Sequence, residues 1–241
     1  MTRRKTGGRL KPMFSIHTNL KILMDIIMTK RISRSISIVI SFLLCVFILN
    51  LPGFLPEGIL EIIVLNYLFI VIIITVSIYF LHKLNIIGII TELGLNKGFS
   101  KGLIFGFVST LPMTVSSAIL FKFSNDIFSF YTLIAVIIGP VMEEILFRGY
   151  LFGQLFRRER WGFIPSSVLA SIFFAMGHLY QSHDISSAVG TFLVTSMGSA
   201  WFAWLYIEHE SNLWFPIWLH VLMNLSWTIF QRFSVRHLCN Y

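Results

Sequence analysis

Apolar residues in this chain come in long, nearly unbroken runs, not in the three-and-four spacing of a soluble amphipathic helix. A run of about 18 or more is long enough to cross the hydrocarbon core of a bilayer as a helix. Seven stretches qualify: Ile36–Leu55, Ile59–Leu81, Gly102–Phe121, Thr132–Phe156, Phe163–Tyr180, Ser187–Ile207 and Leu213–Phe230. Each is expected to be helical, because an open sheet cannot satisfy its backbone groups in lipid. The expected fold is all-α, a polytopic transmembrane helix bundle of seven spans, or eight if a re-entrant segment completes it. The second run carries Ile70, Val71, Ile72, Ile73 and Ile74 in a row and shows no polar face, so it reads as a lipid-touching scaffold helix.

Composition supports this pattern. Of 241 residues, 56% are hydrophobic and 12% charged, and the mean hydropathy is +0.78. A soluble domain carries about 25% charged residues. No internal repeat or low-complexity linker divides the chain, which reads as one domain in zones. Residues 1–34 form a basic arm, 35–131 supply three scaffold spans, 132–230 hold nearly all the intramembrane polar chemistry, and 231–241 form a short tail. Within the arm Met13, Ile16, Leu20, Leu23 and Ile27 recur at helical spacing, with Lys21, Asp25 and Lys30 elsewhere. That pattern suits a short helix on an anionic membrane surface. A disordered arm, or a true start at Met28, is the alternative.

The net charge of +8 points to a membrane partner and not to nucleic acid. Arg3, Arg4, Lys5, Arg9, Lys11, Lys30, Arg31 and Arg34 precede the first span, and Arg157, Arg158 and Arg160 follow the fourth. Basic residues flanking spans stay on the cytoplasmic side. Both clusters then agree on a cytoplasmic N-terminus, and a bacterial cell membrane is the expected location. Seven spans place the C-terminus outside, which Arg232 and Arg236 fit less well. Cys45 and Cys239 offer neither a disulfide framework nor a cysteine metal site. Pro52 and Gly53, with no small-residue cleavage site, follow the first apolar run, so it is expected to act as an uncleaved anchor.

An ionisable group deep in a bilayer is costly and persists where it is paired, lines a cavity or performs a task. The fourth span reads Gly139-Pro140-Val141-Met142-Glu143-Glu144-Ile145-Leu146-Phe147-Arg148-Gly149-Tyr150. Arg148 lies four residues after Glu144, on the same face, and can pair with it. Glu143 is rotated about 100° away and free to point into the bundle. A desolvated carboxylate without a cation suits general acid–base work. Its bland counterpart is a Glu–Arg clamp between helices. The fifth span carries Phe174-Ala175-Met176-Gly177-His178, with Phe174 and His178 four apart on one face. The seventh places His220 and Asn224 four apart, one face presenting an imidazole and a carboxamide. Alone, His178 reads as an interfacial histidine and Asn224 as interhelical glue. Ser196 and Ser199 in the sixth span lack a partner base and read as small packing residues.

Taken in order, the glutamate pair with arginine, the histidine, and the histidine with asparagine resemble the CAAX-protease and bacteriocin-processing family. That family includes type II CAAX prenyl endopeptidases and bacterial Abi proteins. The resemblance covers about residues 132–230, including Phe147-Arg148-Gly149-Tyr150 and the Leu213-Trp214-Phe215-Pro216-Ile217 lead-in, with no departure at the motif positions. It implies a glutamate-dependent intramembrane endopeptidase acting on a peptide or membrane-protein substrate. By position, Glu143 would activate water with His178, His220 and Asn224 would stabilise the oxyanion, and Glu144 and Arg148 would support the site. A divalent metal such as zinc, held by Glu143, His178 and His220, is the competing form of the same site. The other class of function is a non-catalytic membrane protein, an immunity factor or scaffold, using this polar core structurally. One difficulty is visible from the spacing. His178 sits near the outer end of its span and Glu143 at the centre of its own, so convergence requires the fifth helix to start later, tilt or extend further.

Overall fold

The structure is a computed structural model and describes residues 11–50, 59–123 and 130–231. Eight helices are present among these residues. They are α1 (Lys11–Leu49), α2 (Ile59–His82), α3 (Ile86–Leu93), α4 (Phe99–Leu120), α5 (130–158), α6 (Phe163–Met176), α7 (Ile185–Glu208) and α8 (Trp214–Ile229). A two-residue pairing, β1 (Lys122–Phe123) antiparallel to β2 (Phe230–Gln231), ties the end of α4 to that of α8.

Every expected span is helical over most of its described length, and five helical stretches have the length and apolarity to cross a membrane. The fourth and seventh expected spans fall short of that standard for physical reasons. The fourth is divided into short α- and π-helical segments, none of 18 residues, and α8 has only 16 residues. Ile87, Ile104, Ile119, Ile164, Ile185 and Val194 are all exposed, an apolar surface that lipid covers at little cost and water would not. The protein is an integral membrane protein.

The basic arm and the first span differ from expectation. From Lys11 to Leu49 they form one helix, because no glycine or proline lies between Met13 and Asn50 to interrupt it. The end expected at Leu55, together with Arg232, Arg236 and Cys239, lies outside the described residues.

Helix pairs α1–α2, α4–α8 and α6–α7 surround α5, which touches members of all three. Residues 146–155 of α5 are buried without exception, as befits a helix enclosed on every side. The α4–α8 contact is close because Gly102 and Gly106 turn their bare faces to the backbone at Trp214 and Trp218. A Cβ on Gly102 would lie 2.5 Å from the Trp214 carbonyl oxygen. Such glycine spacing lets membrane helices approach backbone to backbone.

The second span is corrected. Ile70, Ile74 and Ile78, four apart, are buried, as is Asn66, while Val71, Ile72 and Val76 are exposed to lipid. Its Ser77 hydroxyl lies 2.5 Å from that of Tyr150 on α5. Rows of isoleucine carry no contrast between faces, so only the neighbours decide which side is buried.

The end of the bundle bearing Arg157 and Arg158 is locked by polar contacts. Glu92 of α3 accepts from Arg158 through both carboxylate oxygens and from Gln154 at 3.2 Å, while Arg157 reaches the Glu92 backbone carbonyl. His82 Nε2 in turn donates to Gln154 Oε1 at 2.7 Å. Burial pushes the Glu92 carboxyl upward, but the Arg158 hydrogen bond, the charges of Arg157 and Arg158 and the Gln154 bond outweigh it. The net result lies below the ordinary carboxylate value. Nearby, Gly94 (φ +81°) turns under the chain that enters α8. A Cβ there would sit 2.0 Å from the Ser211 carbonyl oxygen, so the position requires glycine.

Candidate active site

The centre of α5 is not a uniform α-helix. An α-helical stretch, Gly139–Glu144, lies between the wider π-helical turns Ile134–Ile138 and Ile145–Phe152. Pro140 brings no N–H to the ladder, and π turns of this kind frequently mark functional positions. The glutamate pair sits at the junction.

Glu144 is fully buried. Its Oε1 accepts from the Arg148 guanidinium at 2.9 Å and from His220 Nδ1 of α8 at 2.8 Å. Its Oε2 is buried with no donor among the described residues. Arg148, also buried, packs against two aromatic faces: its guanidinium carbon is 4.4 Å from the Phe174 ring centre and 5.2 Å from that of Phe202. These rings satisfy part of the cation that the single carboxylate leaves over. Phe202, on α7, carried no sequence signal beyond being one aromatic in an apolar span.

Glu143 points differently. Its side chain is 37% exposed, and its Oε2 stands 3.9 Å from His220 Nε2. The two ring nitrogens of His220 thus face two carboxylates. With Nδ1–H donating to Glu144, the tautomer of the ring and its orientation on α8 are set by that carboxylate. Asn224 lies one turn beyond His220 on α8, half-buried.

His178 follows α6 by two residues. Its Nδ1 donates to the Phe174 carbonyl at 2.7 Å, leaving Nε2 as the acceptor in the neutral ring. Both imidazoles border the Phe174 ring, at 4.4 Å for His178 and 6.3 Å for His220 between ring centres. The apparent mismatch in depth between His178 and Glu143 disappears. Glu143 precedes Arg158 by 15 residues, and His178 follows Phe163 by 15, across a short turn. The regular α-helix between is 14 residues, a rise of about 21 Å, and a 3₁₀ turn carries the stretch on to Gln181. The fifth helix starts where expected, and His178 lies just past the end of its α-helical part.

The structure therefore joins Glu143, Glu144, Arg148 and His220 directly, sets His178 beside them across Phe174, and leaves Asn224 adjacent along α8. It does not gather Glu143, His178 and His220 into a metal ligand set: no group of three His, Cys, Asp or Glu side chains suited to an ion occurs among the described residues.

The fold and site define a helical membrane protein with a buried carboxylate–arginine–imidazole core. Residues 125–226 match the family described as type II CAAX prenyl endopeptidase Rce1-like. The matched segment contains Glu143, Glu144, Arg148, His178, His220 and Asn224 and is similar to that family. Among curated proteins, the chain is 33% identical over 105 residues to "Putative membrane peptidase YdiL" of Bacillus subtilis (strain 168). The match covers 44% of this chain and 38% of that relative's length. No solved structure matches.

Proposed function

We propose that the chain is an intramembrane endopeptidase whose core is residues 132–230 and whose general base is Glu143. The observation that carries this reading is the division of labour between adjacent carboxylates. Glu144 is buried and engaged by Arg148 and His220, while Glu143 is partly open and, among the described residues, has His220 Nε2 at 3.9 Å as its ion-pair contact. In a purely structural clamp both carboxylates would be saturated. Here one orders the site and the other is left able to accept a proton.

In this mechanism Glu143 takes a proton from a water whose oxygen attacks the scissile carbonyl carbon. His178 Nε2 accepts the water's second hydrogen bond. The developing oxyanion is met by His220, held in place by Glu144, and by the Asn224 carboxamide. Donors preorganised in a low-dielectric site stabilise such charge strongly. The proton held by Glu143 then passes to the leaving amine as the C–N bond breaks. A peptide or membrane-protein segment entering from the bilayer is the substrate class, the N-terminus is cytoplasmic, and the location is a bacterial cell membrane. The family resemblance and the name of the curated relative support this reading.

The test is hydrolysis of a quenched-fluorescent peptide library by the purified full chain in detergent, wild type beside Glu143→Gln. Cleavage by wild type and its loss in a folded variant are expected. Equal cleavage by both sinks Glu143 as the base. No cleavage by either, with the protein's biological effect intact, moves the function to an immunity or scaffold role.

A further inference from the structure

The proposed machinery comes entirely from residues 132–230, but one side chain from the other half of the chain reaches it. Tyr67 lies on α2, outside the matched segment 125–226. It is half-buried against the central core. Its hydroxyl oxygen comes within 3.7 Å of where a Cβ on Gly139 would sit. Gly139 precedes Glu143 by four residues on the same α-helical stretch, so the two share a face. The phenol therefore borders the face of α5 from which Glu143 projects, and it lies within electrostatic reach of that carboxylate. Among the described residues no hydrogen bond engages the hydroxyl.

Packing alone does not require that oxygen. A phenylalanine would fill the same space beside Gly139, where the contact is an ordinary van der Waals one. A hydroxyl bordering an open carboxylate is a donor without an acceptor until a third group enters between them. A water bound to Glu143 has that geometry. It gives one hydrogen to Glu143 and the other to His178, attacks through one lone pair, and accepts through its second.

We propose that the Tyr67 hydroxyl donates a hydrogen bond to the water that Glu143 activates, making α2 part of the active site. The proposal rests on the proteolytic reading above. No proton leaves the phenol: it orients the water's lone pairs, while the proton itself passes to Glu143.

Tyr67→Phe keeps the ring and removes only the donor. On the best-cleaved peptide of the library, kcat should fall about tenfold with KM unchanged, the size expected for one neutral hydrogen bond to the reacting water. The thermal unfolding midpoint should not move. An independent measurement uses 3-fluorotyrosine at position 67. Its ¹⁹F resonance should shift on Glu143→Gln and stay put on Glu92→Gln. Unchanged kcat in Tyr67→Phe, or a resonance indifferent to Glu143→Gln, overturns the assignment of Tyr67 and leaves the protease reading standing. A resonance that responds in a wild-type protein without any hydrolysis overturns the protease reading, and the role of Tyr67 with it.

Discussion

Two of the buried carboxylate–arginine clusters in this bundle, those of Glu92 and Glu144, differ in how completely their acceptors are used. At the basic end, both carboxylate oxygens of Glu92 are engaged, by Arg158 and Gln154, and Gln154 is itself held by His82. At the centre, Glu144 receives Arg148 and His220 on one oxygen, its second oxygen meets no described donor, and neighbouring Glu143 is partly open beside the edge of His220. The first cluster is closed and joins α2, α3 and α5. The second is open and keeps proton-accepting capacity inside an apolar bundle. Buried charge does not by itself distinguish a lock from an active site; between these two clusters the difference lies in the acceptors left unused.

The contrast breaks most sharply at Glu143. Replacing it by glutamine should leave a folded, inserted protein whose peptide hydrolysis falls by about 10²–10⁴, the usual worth of a general base. Steady-state kinetics on the purified variant checks this, and retained cleavage would transfer the role to Glu144.

Arg148→Leu attacks the half of the open cluster that resembles the lock. It leaves the Glu144 carboxylate buried without its cation, which costs about 3–5 kcal/mol where measured in other proteins. A large fall in thermal midpoint and in membrane abundance is expected. Normal abundance with an unchanged midpoint would show that Phe174, Phe202 and Arg148 contribute little to the frame.

Gly102→Ala asks whether the frame depends on the α4–α8 approach. The new methyl meets the Trp214 carbonyl and must push the helices apart, at about 1–3 kcal/mol. Because α8 carries His220, kcat should drop along with stability. A stable and fully active variant would mean that α8 is positioned by Glu144 alone.

The smallest effect belongs to the closed cluster and appears only in acid. Glu92 has a folded pKa below its unfolded value, so its contribution is complete above the ordinary 4.5 and disappears as pH falls through the depressed folded value. The midpoint difference between wild type and Glu92→Gln should be constant near neutrality and shrink toward zero on acidification. A gap independent of pH in that window would show that the Glu92 charge is not what holds α3 to α5.

Much of this was legible beforehand. Long apolar runs can only be helices in lipid, so the bundle and the approximate bounds of its spans follow from hydropathy. Glu143, Glu144, Arg148, His178, His220 and Asn224 stand out because ionisable and amide groups are costly in an apolar run, and their order carries the family resemblance. The rest was hidden for identifiable reasons. Glu92 lies in a short amphipathic segment between spans, where a carboxylate costs nothing unusual. Tyr67 sits in a stretch whose isoleucines give every rotation of the helix the same appearance. Phe202 is one aromatic among many.

The sequence by itself determined the class of fold, the helices and the residues that need an explanation, because these depend on what each segment can tolerate in a bilayer. Only the tertiary structure decided which carboxylate is engaged and which is left open, and that His178 and His220 border the same Phe174 ring. It also decided that a tyrosine of the scaffold half borders the site. Those outcomes depend on distances between helices far apart along the chain. Such distances are set by helix length, glycine contacts and buried ion pairs acting together, and no local pattern records them.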